Sequence, residues 1–549
     1  MTRLNPKYKE WIFLLFWFVA CLAIGAATVH DYGMSIDEPN NQRYANDTWN
    51  AYPSLFGTLY EPEYNTSYDG HGPAFITLAG IFVKIMQRVF PNLFAPDLWH
   101  FSYFVTFLLS GLCLYWLAKH WFSSWTAWGI LILFSTQPLL WGHAFMNPKD
   151  IPFMAFFIAS IAAGFAMVDS LERQAATDNA AISGGSFIHN SWRSFPREVM
   201  KEFANPWVWL SGIILGLTTS LRILGPYAGV IVLLYGLWKS PRRILGIFPA
   251  YFIITIAICY LTWPYLWTDP IGRFLQSIDV ASAYPWRGGI LFEGEILSAK
   301  ALPASYLPKM ISIQFTEMAI ILFITGIVLA FSKIWKRESF VPLVLLFIWF
   351  MIPFAAIILM GSVVYDGFRQ ILFLLPPLFL ITGFAIEWIF TRIQNVTFRL
   401  VLIILLAVPG VYSIITLHPY EYVYYNSLTG GVQGAYKNYE LDYWATSYRE
   451  AALFLNETAK PNTHVAIFGP VDIAIYRTYA RPDIKVNLWN VARKFRDTKD
   501  ISYEYAVIVN RQNAVESICK NARTVKTVER NGAILMVVKE IPPGQKDCP

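Results

Sequence analysis

The stretch WIFLLFWFVACLAIGAATV at 11–29, followed directly by the acidic turn DYGMSIDEPNNQRY at 31–44, decides the fold class of this chain. The first segment is long and apolar enough to cross the ~30 Å hydrocarbon core of a bilayer as a helix. The second segment holds the adjacent carboxylates Asp37 and Glu38. We interpret 11–29 as an uncleaved first membrane helix rather than a signal peptide, because many more apolar runs follow.

The chain as a whole is too apolar for an ordinary soluble protein. Of its 549 residues, 55% are hydrophobic and only 15% are charged, which indicates a polytopic α-helical membrane protein. The formal net charge of +6 implies no nucleic-acid partner, because the basic residues of such proteins gather in cytoplasmic loops. Membrane lipids are the partners that composition alone predicts.

Eleven apolar runs are long enough to predict membrane crossings. A further run, 73–90, contains Lys84 and Arg88. If that run does not cross, every second loop holds the basic residues, as the positive-inside rule requires. We therefore predict an amphipathic or re-entrant helix there at the outer interface, a cytoplasmic N-terminus, and outer loops at 30–97 and 267–312. The eleven crossing runs are 11–29, 98–118, 124–142, 151–168, 206–223, 225–238, 244–266, 313–332, 340–361, 370–390 and 399–417.

Residues 1–419 form the predicted membrane domain, and residues 420–549 form a small α/β domain that we expect outside the cytoplasm. The segments HVAIFG, IKVNLW, YAVIVN and ILMVVK predict short strands there. That region contains no nucleotide-binding loop and no nucleophile elbow, which favours a lid or an acceptor-docking module. Cys519 and Cys548 could form a disulfide if the domain is exported, and their spacing leaves that question open.

Ionisable side chains at the outer ends of the predicted helices are the candidate functional residues, because charge near a bilayer is costly unless it is paired or used. Asp37 and Glu38 are either solvated loop carboxylates or groups that face a cavity. Asp150 either caps the helix that it begins or belongs, with Lys149, to an anion site. Arg369 is either a snorkelling interfacial residue or a phosphate ligand, because its planar fork donates paired hydrogen bonds.

The loop 267–312 has the composition of a mobile cover over a lipid or sugar site, although its aromatic residues suit an interfacial belt equally well. The candidate contacts of this cover are Arg287, Tyr306, Lys309 and His71. A divalent cation is a separate alternative, in which His71 and His143 join the outer carboxylates as ligands. No ligand spacing in the sequence supports it.

Taken together, these features resemble the GT-C superfamily of membrane glycosyltransferases, and most of all its branch of protein O-mannosyltransferases and lipid A aminoarabinose transferases. By motif, Asp37 matches the catalytic aspartate of that group, and Glu38 the second half of its Asp-Glu pair. Asp150 is similar to the group's second acidic position. Arg369, ahead of the LLPP sequence at 374–377, is similar to the arginine that helps to hold the donor phosphate.

One departure from that pattern concerns the phosphate contact. Where the aminoarabinose branch has a Lys-Pro-Pro sequence, this chain has His71, Gly72 and Pro73. The role of the missing lysine would then fall to Lys149 or Arg369. The segment HPYEYVYYNSLTGG at 418–431 is similar to the one that follows the last span in bacterial members of the group.

The resemblance implies an enzyme of the plasma (inner) membrane that moves a hexose or pentose from a polyprenyl-phosphate donor to a hydroxyl of a lipid, glycan or protein. Asp37 would act as its general base, and attack opposite the leaving group would invert the anomeric centre. A transporter or flippase of lipid-linked sugars is the alternative from another class. It predicts polar residues in the middle of spans, whereas the polar residues here cluster at outer helix ends.

Overall fold

Apolar helices make up most of the chain up to residue 417 in the computed structural model. The structure describes residues 6–56, 70–182, 204–282, 286, 288–335, 340–469, 473–488, 502–542 and 548. Proline begins several of these helices, since the first position of a helix has no intrahelical use for an N–H group. The α-helices before residue 418 are Pro6–Thr28, Glu38–Ala51, Ala74–Val89, Ala95–Ala118, Ser124–Ser135, Pro138–Met146, Asp150–Ile182, Pro206–Leu221, Pro226–Lys239, Pro241–Thr262, Pro270–Ser282, Tyr306–Gln314, Glu317–Trp335, Phe340–Leu359, Pro376–Arg392 and Val396–Leu417.

Six of the described helices are long and apolar enough to cross a membrane, and two bent helix pairs raise the number to eight. Each of the eleven predicted runs overlaps a helix, but three of these helices have only 16, 14 and 17 residues. They fall short of the ~20 residues that a straight span requires. The three short helices are Pro206–Leu221, Pro226–Lys239 and Pro376–Arg392. The chain is therefore a multi-pass membrane protein, with fewer full-length spans than its apolar runs predict.

The ambiguous run at 73–90 forms the 16-residue helix Ala74–Val89. Phe75 and Val83 lie on its buried face, whereas the charged Lys84 and Arg88 are exposed. This division matches the predicted amphipathic helix. Its position at an outer membrane interface stays a prediction.

Strands occur in a hairpin and in one C-terminal sheet. In the hairpin, β1 (Gly289–Phe292) pairs antiparallel with β2 (Glu295–Ser298). The sheet contains β3 (His464–Phe468), β4 (Lys485–Leu488), β5 (Tyr505–Val509), β6 (Arg523–Arg530) and β7 (Ala533–Glu540) in the order β4-β3-β5-β7-β6. Strand β3 runs parallel to β4 and β5, and β7 runs antiparallel to β5 and β6. Helices Tyr448–Thr458 and Ile473–Tyr479 accompany this mixed sheet.

The four predicted strands coincide with β3, β4, β5 and β7, whereas β6 has no counterpart among the predictions. Its sequence RTVKTVER has charged residues throughout, as expected of a strand at the edge of a sheet. A disulfide joins Cys519 to Cys548, the pairing that the sequence left open.

Contacts between charged side chains connect the end of the first long helix to the end of the last. The ring of His418, directly after Val396–Leu417, contacts Asp31 Oδ2 at 3.0 Å and Glu421 Oε1 at 2.9 Å. Tyr32 donates a hydrogen bond to the same Glu421 oxygen at 2.8 Å. Burial alone would lower the pKa of His418, but the carboxylates of Glu421 and Asp31 raise it above the usual value. Both helices therefore end on the same face, which we name the site end of the bundle.

Candidate active site

Asp37 lies at the site end, at the start of the helix Glu38–Ala51. The Glu38 N–H donates to the Ser35 carbonyl at 3.1 Å, and the Asn41 side chain donates to the Asp37 carbonyl at 2.6 Å. These bonds fix the turn that carries Asp37. About 30% of the Asp37 side chain remains exposed, so the carboxylate can meet a substrate.

Glu38 faces different surroundings from its neighbour. Its side chain is fully buried and accepts a hydrogen bond from the Ser35 N–H at 2.7 Å. The other contact is with His100 Nε2, which lies 3.0 Å from Glu38 Oε2. Successive residues of a helix point about 100° apart, which separates the two carboxylates. In this position Glu38 holds the turn and is turned away from the contacts that Asp37 makes.

Arg369 brings the two predicted aspartates together. Its Nη1 lies 3.3 Å from Asp37 Oδ2 and 3.5 Å from Asp150 Oδ2. The guanidinium carbon also lies 4.9 Å from the ring centres of both Tyr365 and Trp444, at a distance suited to cation–π attraction. Burial alone would lower the pKa of Arg369, but Tyr365 and the neighbouring carboxylates raise it above the usual value. The arginine therefore carries a permanent positive charge between two carboxylates and two aromatic rings.

Asp150 is a buried member of this charge cluster and begins the helix Asp150–Ile182. Asn147 acts as the local cap, because its Oδ1 accepts from the Asp150 N–H at 2.7 Å and from the Lys149 N–H at 3.1 Å. The Asp150 side chain instead pairs with Arg222 through Oδ1. Asn147 thus takes the capping role that was one alternative for Asp150, and a role of Asp150 with Lys149 in an anion site stays a prediction.

Arg222 is a site residue that the sequence predictions did not single out. It follows the helix Pro206–Leu221 in extended backbone, and its Nη1 donates to the Gln370 carbonyl at 3.1 Å. With Lys149 and His71 it lines a small pocket beside Asp150. Its positive charge at the predicted outer end of the run 206–223 is the feature of the sequence that could have identified it.

The small pocket is strongly cationic. Burial and the charges of Lys149 and Arg222 lower the pKa of His71 to about 3, so His71 is neutral there. Burial also lowers the pKa of Lys149, although Asp37 opposes the shift. Lys149 and Arg222 therefore line the pocket as two cations, and its free volume of about 10 Å³ is no more than the space of one water molecule.

A larger cavity of about 520 Å³ opens on the other side of Asp37 and Arg369. Asp366 and Arg511 lie in its wall and form an ion pair, with Arg511 Nη2 at 2.7 Å from Asp366 Oδ1. The second oxygen of Asp366 lies 3.9 Å from Arg369 Nη2. The cavity is lined by Ile36, Asp37, Trp286, Gly288, Gly289, Tyr365, Asp366, Arg369, Phe468, Gly469, Val509, Arg511, Gln512, Ala514 and Ile518.

The residues predicted to belong to a cover over the site include Arg287, Tyr306 and Lys309. Arg287 lies outside the described residues. Tyr306 is buried, and its hydroxyl accepts a hydrogen bond from the Gly367 N–H at 3.0 Å, so it supports the turn that carries Arg369. Lys309 is exposed and pairs with Glu293 at 3.1 Å. The structure brings neither Tyr306 nor Lys309 to Asp37.

The alternative of a divalent cation has no ligand set in the described part of the chain. Within those residues, no group of three or more His, Cys, Asp or Glu side chains is placed to hold a metal ion. His143 instead contacts the Tyr443 hydroxyl through Nε2 at 3.1 Å and the Asn147 amide through Nδ1 at 3.2 Å.

The overall fold is similar to those of membrane transferases of known structure. No family model matches the sequence, and no curated protein matches it. ArnT from Cupriavidus metallidurans in the apo state is 13% identical, with a TM-score of 0.48 over 97% of this chain and 98% of that one. The same protein bound to undecaprenyl phosphate is 12% identical, with a TM-score of 0.46 over 96% of this chain and 98% of that one. The Archaeoglobus fulgidus oligosaccharyltransferase in complex with Zn and sulfate is 12% identical, with a TM-score of 0.42 over 89% of this chain and 68% of that one. At these values the likeness assigns no role to any residue.

The chemistry that this site can perform follows from its charges. A partly exposed carboxylate, Asp37, borders a cavity large enough for a ligand. Arg369 and Arg222 each have a buried Nε with no hydrogen-bond partner in the part of the chain that the structure describes. Buried donors are nearly always satisfied in native proteins, so these two N–H groups are exceptions within the site. The arrangement therefore combines a base with cations for a negatively charged group.

Proposed function

We propose that this protein is a GT-C-type membrane glycosyltransferase that moves a sugar from a polyprenyl-phosphate donor to an acceptor hydroxyl. The observation that carries the proposal is the placement of Asp37. Its carboxylate is partly exposed in a cavity of about 520 Å³ and lies 3.3 Å from the buried cation Arg369. A base beside a fixed cation is what hydroxyl attack on a sugar phosphate requires.

In this mechanism Asp37 takes the proton of the acceptor hydroxyl as its oxygen forms a bond to the anomeric carbon. The bond between that carbon and the phosphate oxygen breaks at the same centre. The electron pair leaves with the polyprenyl phosphate, which gains a negative charge. Attack from the face opposite the leaving group inverts the anomeric centre.

The charges around Asp150 fit the phosphate of such a donor. Arg369, Arg222 and Lys149 supply three positive charges, against two negative charges from Asp37 and Asp150. The surplus of one positive charge matches the single charge of a sugar phosphodiester. Cations already in place stabilise the second charge that develops on the leaving phosphate, without reorganisation of solvent.

The proposed orientation places the site end outside the cytoplasm, where a lipid-linked sugar in the outer leaflet can reach it. The distribution of basic loops supports this orientation through the positive-inside rule. Because Pro6–Thr28 and Val396–Leu417 end on the same face, the start of the chain and the C-terminal domain lie at opposite ends of the bundle. The domain that follows residue 420 would then be extracytoplasmic and would cover the site.

The test compares Asp37→Asn with wild-type protein in nanodiscs, using a panel of polyprenyl-phosphate sugars and a cell-envelope extract as acceptor. We expect Asp37→Asn to lower transfer by about 10² to 10⁴ fold, the usual contribution of a general base. Asp47→Asn is the matched control, because it removes the same charge from an exposed position of the same helix.

Two results would contradict the proposal. Full transfer by Asp37→Asn would move the base elsewhere. Relocation of the lipid-linked sugar across the bilayer with its sugar–phosphate bond intact would instead identify a flippase.

A further inference from the structure

The C-terminal sheet presents one edge to the larger cavity. Strands β3 and β5 are parallel neighbours, with Phe468 paired to Ile508. Their carboxyl ends therefore meet at the same edge of the sheet, where open α/β sheets bind ligands. Phe468, Gly469, Val509 and Arg511 follow from these ends into the cavity wall. The sheet thus faces Asp37 with the edge that such domains use for recognition.

Arg511 is the cation at this edge, and it is almost fully buried. Its Nη2 donates to Asp366 Oδ1 at 2.7 Å, and its Nη1 donates to the Tyr443 carbonyl at 3.0 Å. The guanidinium also lies 5.7 Å from the ring centre of Trp286. These contacts hold Arg511 against the membrane domain rather than within its own sheet.

The turn that carries Arg511 is built for this placement. Gln512 and Asn513 both have left-handed backbone, with φ values of 53° and 59°, which non-glycine residues adopt only when their surroundings hold them there. The Gln512 side chain donates to the Gly289 carbonyl at 2.5 Å. Its N–H donates to Glu440 Oε2 at 3.4 Å. The turn is thus anchored to the hairpin strand β1 and, within the C-terminal domain, to Glu440 ahead of the first strand of the sheet.

Asp366 stands between two arginines. One oxygen meets Arg511 at 2.7 Å, and the other lies 3.9 Å from Arg369 Nη2. Asp366 itself has left-handed backbone, with φ at 56°, a conformation that aspartate adopts more readily than most residues. Without Arg511, the buried Asp366 carboxylate would have Arg369 as its nearest cation and would compete with a donor phosphate for it.

We propose that Arg511 is a positioning residue for the transferase site, which acts through Asp366 to keep the charge of Arg369 available to the donor. This inference rests on the proposed function. With Arg511 present, the site has one positive charge more than it has carboxylates. Without Arg511 its net charge is zero. The cations counted are Arg369, Arg222, Lys149 and Arg511, and the carboxylates are Asp37, Asp150 and Asp366. The C-terminal domain therefore completes the electrostatics of the site.

The test measures the affinity for undecaprenyl phosphate in detergent micelles, and separately kcat and KM for the donor found active in the transfer assay. We expect Arg511→Ala to weaken undecaprenyl phosphate binding about tenfold and to lower kcat/KM by up to about a hundredfold, the size of effect that a misplaced catalytic group causes. Arg523→Ala is the control, since it removes an exposed arginine from the same domain.

The second variant separates positioning from docking. Combining Arg511→Ala with Asp366→Asn removes both charges and returns the surplus to one, so we expect most of the lost affinity and kcat/KM to return. A loss of domain docking would instead show as a lower melting temperature of Arg511→Ala, so thermal melting of all three variants is measured alongside binding. Asp366→Asn alone should bind undecaprenyl phosphate at least as tightly as wild type, and it keeps the test informative if Arg511→Ala does not fold.

The inference is wrong if Arg511→Ala binds and turns over like wild type, if the double variant stays as weak as Arg511→Ala, or if Asp366→Asn weakens binding. A wild-type protein that neither binds undecaprenyl phosphate nor consumes any donor refutes the proposed function itself, and this inference falls with it.

Discussion

Removal of the Arg369 side chain is the most direct test of the phosphate site. Arg369 joins Asp37 and Asp150 through contacts of 3.3 and 3.5 Å, which are long for charge-assisted hydrogen bonds. Its buried Nε has no partner among the described residues. The guanidinium therefore has donors to offer a phosphate without first breaking short bonds.

The magnitude follows from these contacts. At an effective dielectric constant of 20, a charge pair 3.3 Å apart gains about 5 kcal/mol before the cost of desolvation. The net value of a hydrogen bond to a charged group is smaller, about 1.5 to 3 kcal/mol. We therefore expect Arg369→Ala to weaken undecaprenyl phosphate binding by about ten to a hundredfold. Arg369→Lys should recover part of this loss, because it keeps the charge but not the planar fork.

The assay is a titration with undecaprenyl phosphate, followed by tryptophan fluorescence because Trp444 packs on Arg369. Arg392→Ala is the matched control, since Arg392 is exposed at the far end of the helix Pro376–Arg392. Thermal melting checks folding. Asp150 keeps Arg222 as a partner, so the loss of stability should stay near the lower end of the range for a broken buried pair, about 3 kcal/mol. A folded Arg369→Ala protein with wild-type affinity would remove Arg369 from the phosphate site.

Two further predictions concern pH and topology. Burial raises the pKa of Glu440 from 4.5 to about 7, so the folded state binds this proton more tightly than the unfolded state does. The free energy of unfolding therefore falls as pH rises from about 4.5 to 7, by up to about 3 kcal/mol. Glu440→Gln should flatten this part of the melting profile between pH 5 and 8, and an unchanged slope would contradict the assignment. A cysteine in place of the exposed Lys84 should react with an impermeant maleimide from outside intact cells, whereas one in place of Arg392 should react only after permeabilisation. Labelling of the Lys84 position from the cytoplasmic side alone would reverse the proposed orientation.

Residues near helix ends were the part of the site that the sequence could predict. Asp37, Asp150 and Arg369 stand at the ends of separate apolar runs that the charge distribution predicts to be outer ends, and helix ends on one face of a bundle come close together. Charge at such positions is costly unless it is paired. This reasoning predicts a cluster, and the structure has both carboxylates within 3.5 Å of the Arg369 guanidinium.

Other site residues depend on contacts that no local pattern encodes. Arg511 meets Asp366 across 145 positions of the chain, because a turn between two elements of a separate sheet docks on the membrane domain. Trp444 looks like any interfacial aromatic in sequence, yet its ring packs on Arg369. The direction of the Glu38 side chain is a further feature that the sequence does not encode, because it stands beside Asp37 but contacts His100. These site contacts could not be predicted from the sequence, because they depend on side-chain direction and on how the C-terminal domain docks.

The distance along the chain between the members of the site has a consequence for synthesis in the cell. Asp37 is made early, its partner Arg369 emerges 332 residues later, and the turn with Arg511 follows near the end. A nascent chain therefore has the Asp37 carboxylate long before it has Arg369 and Arg511. If the proposed function holds, a protein truncated after Val396–Leu417 would insert into the membrane but lack the complete set of charges.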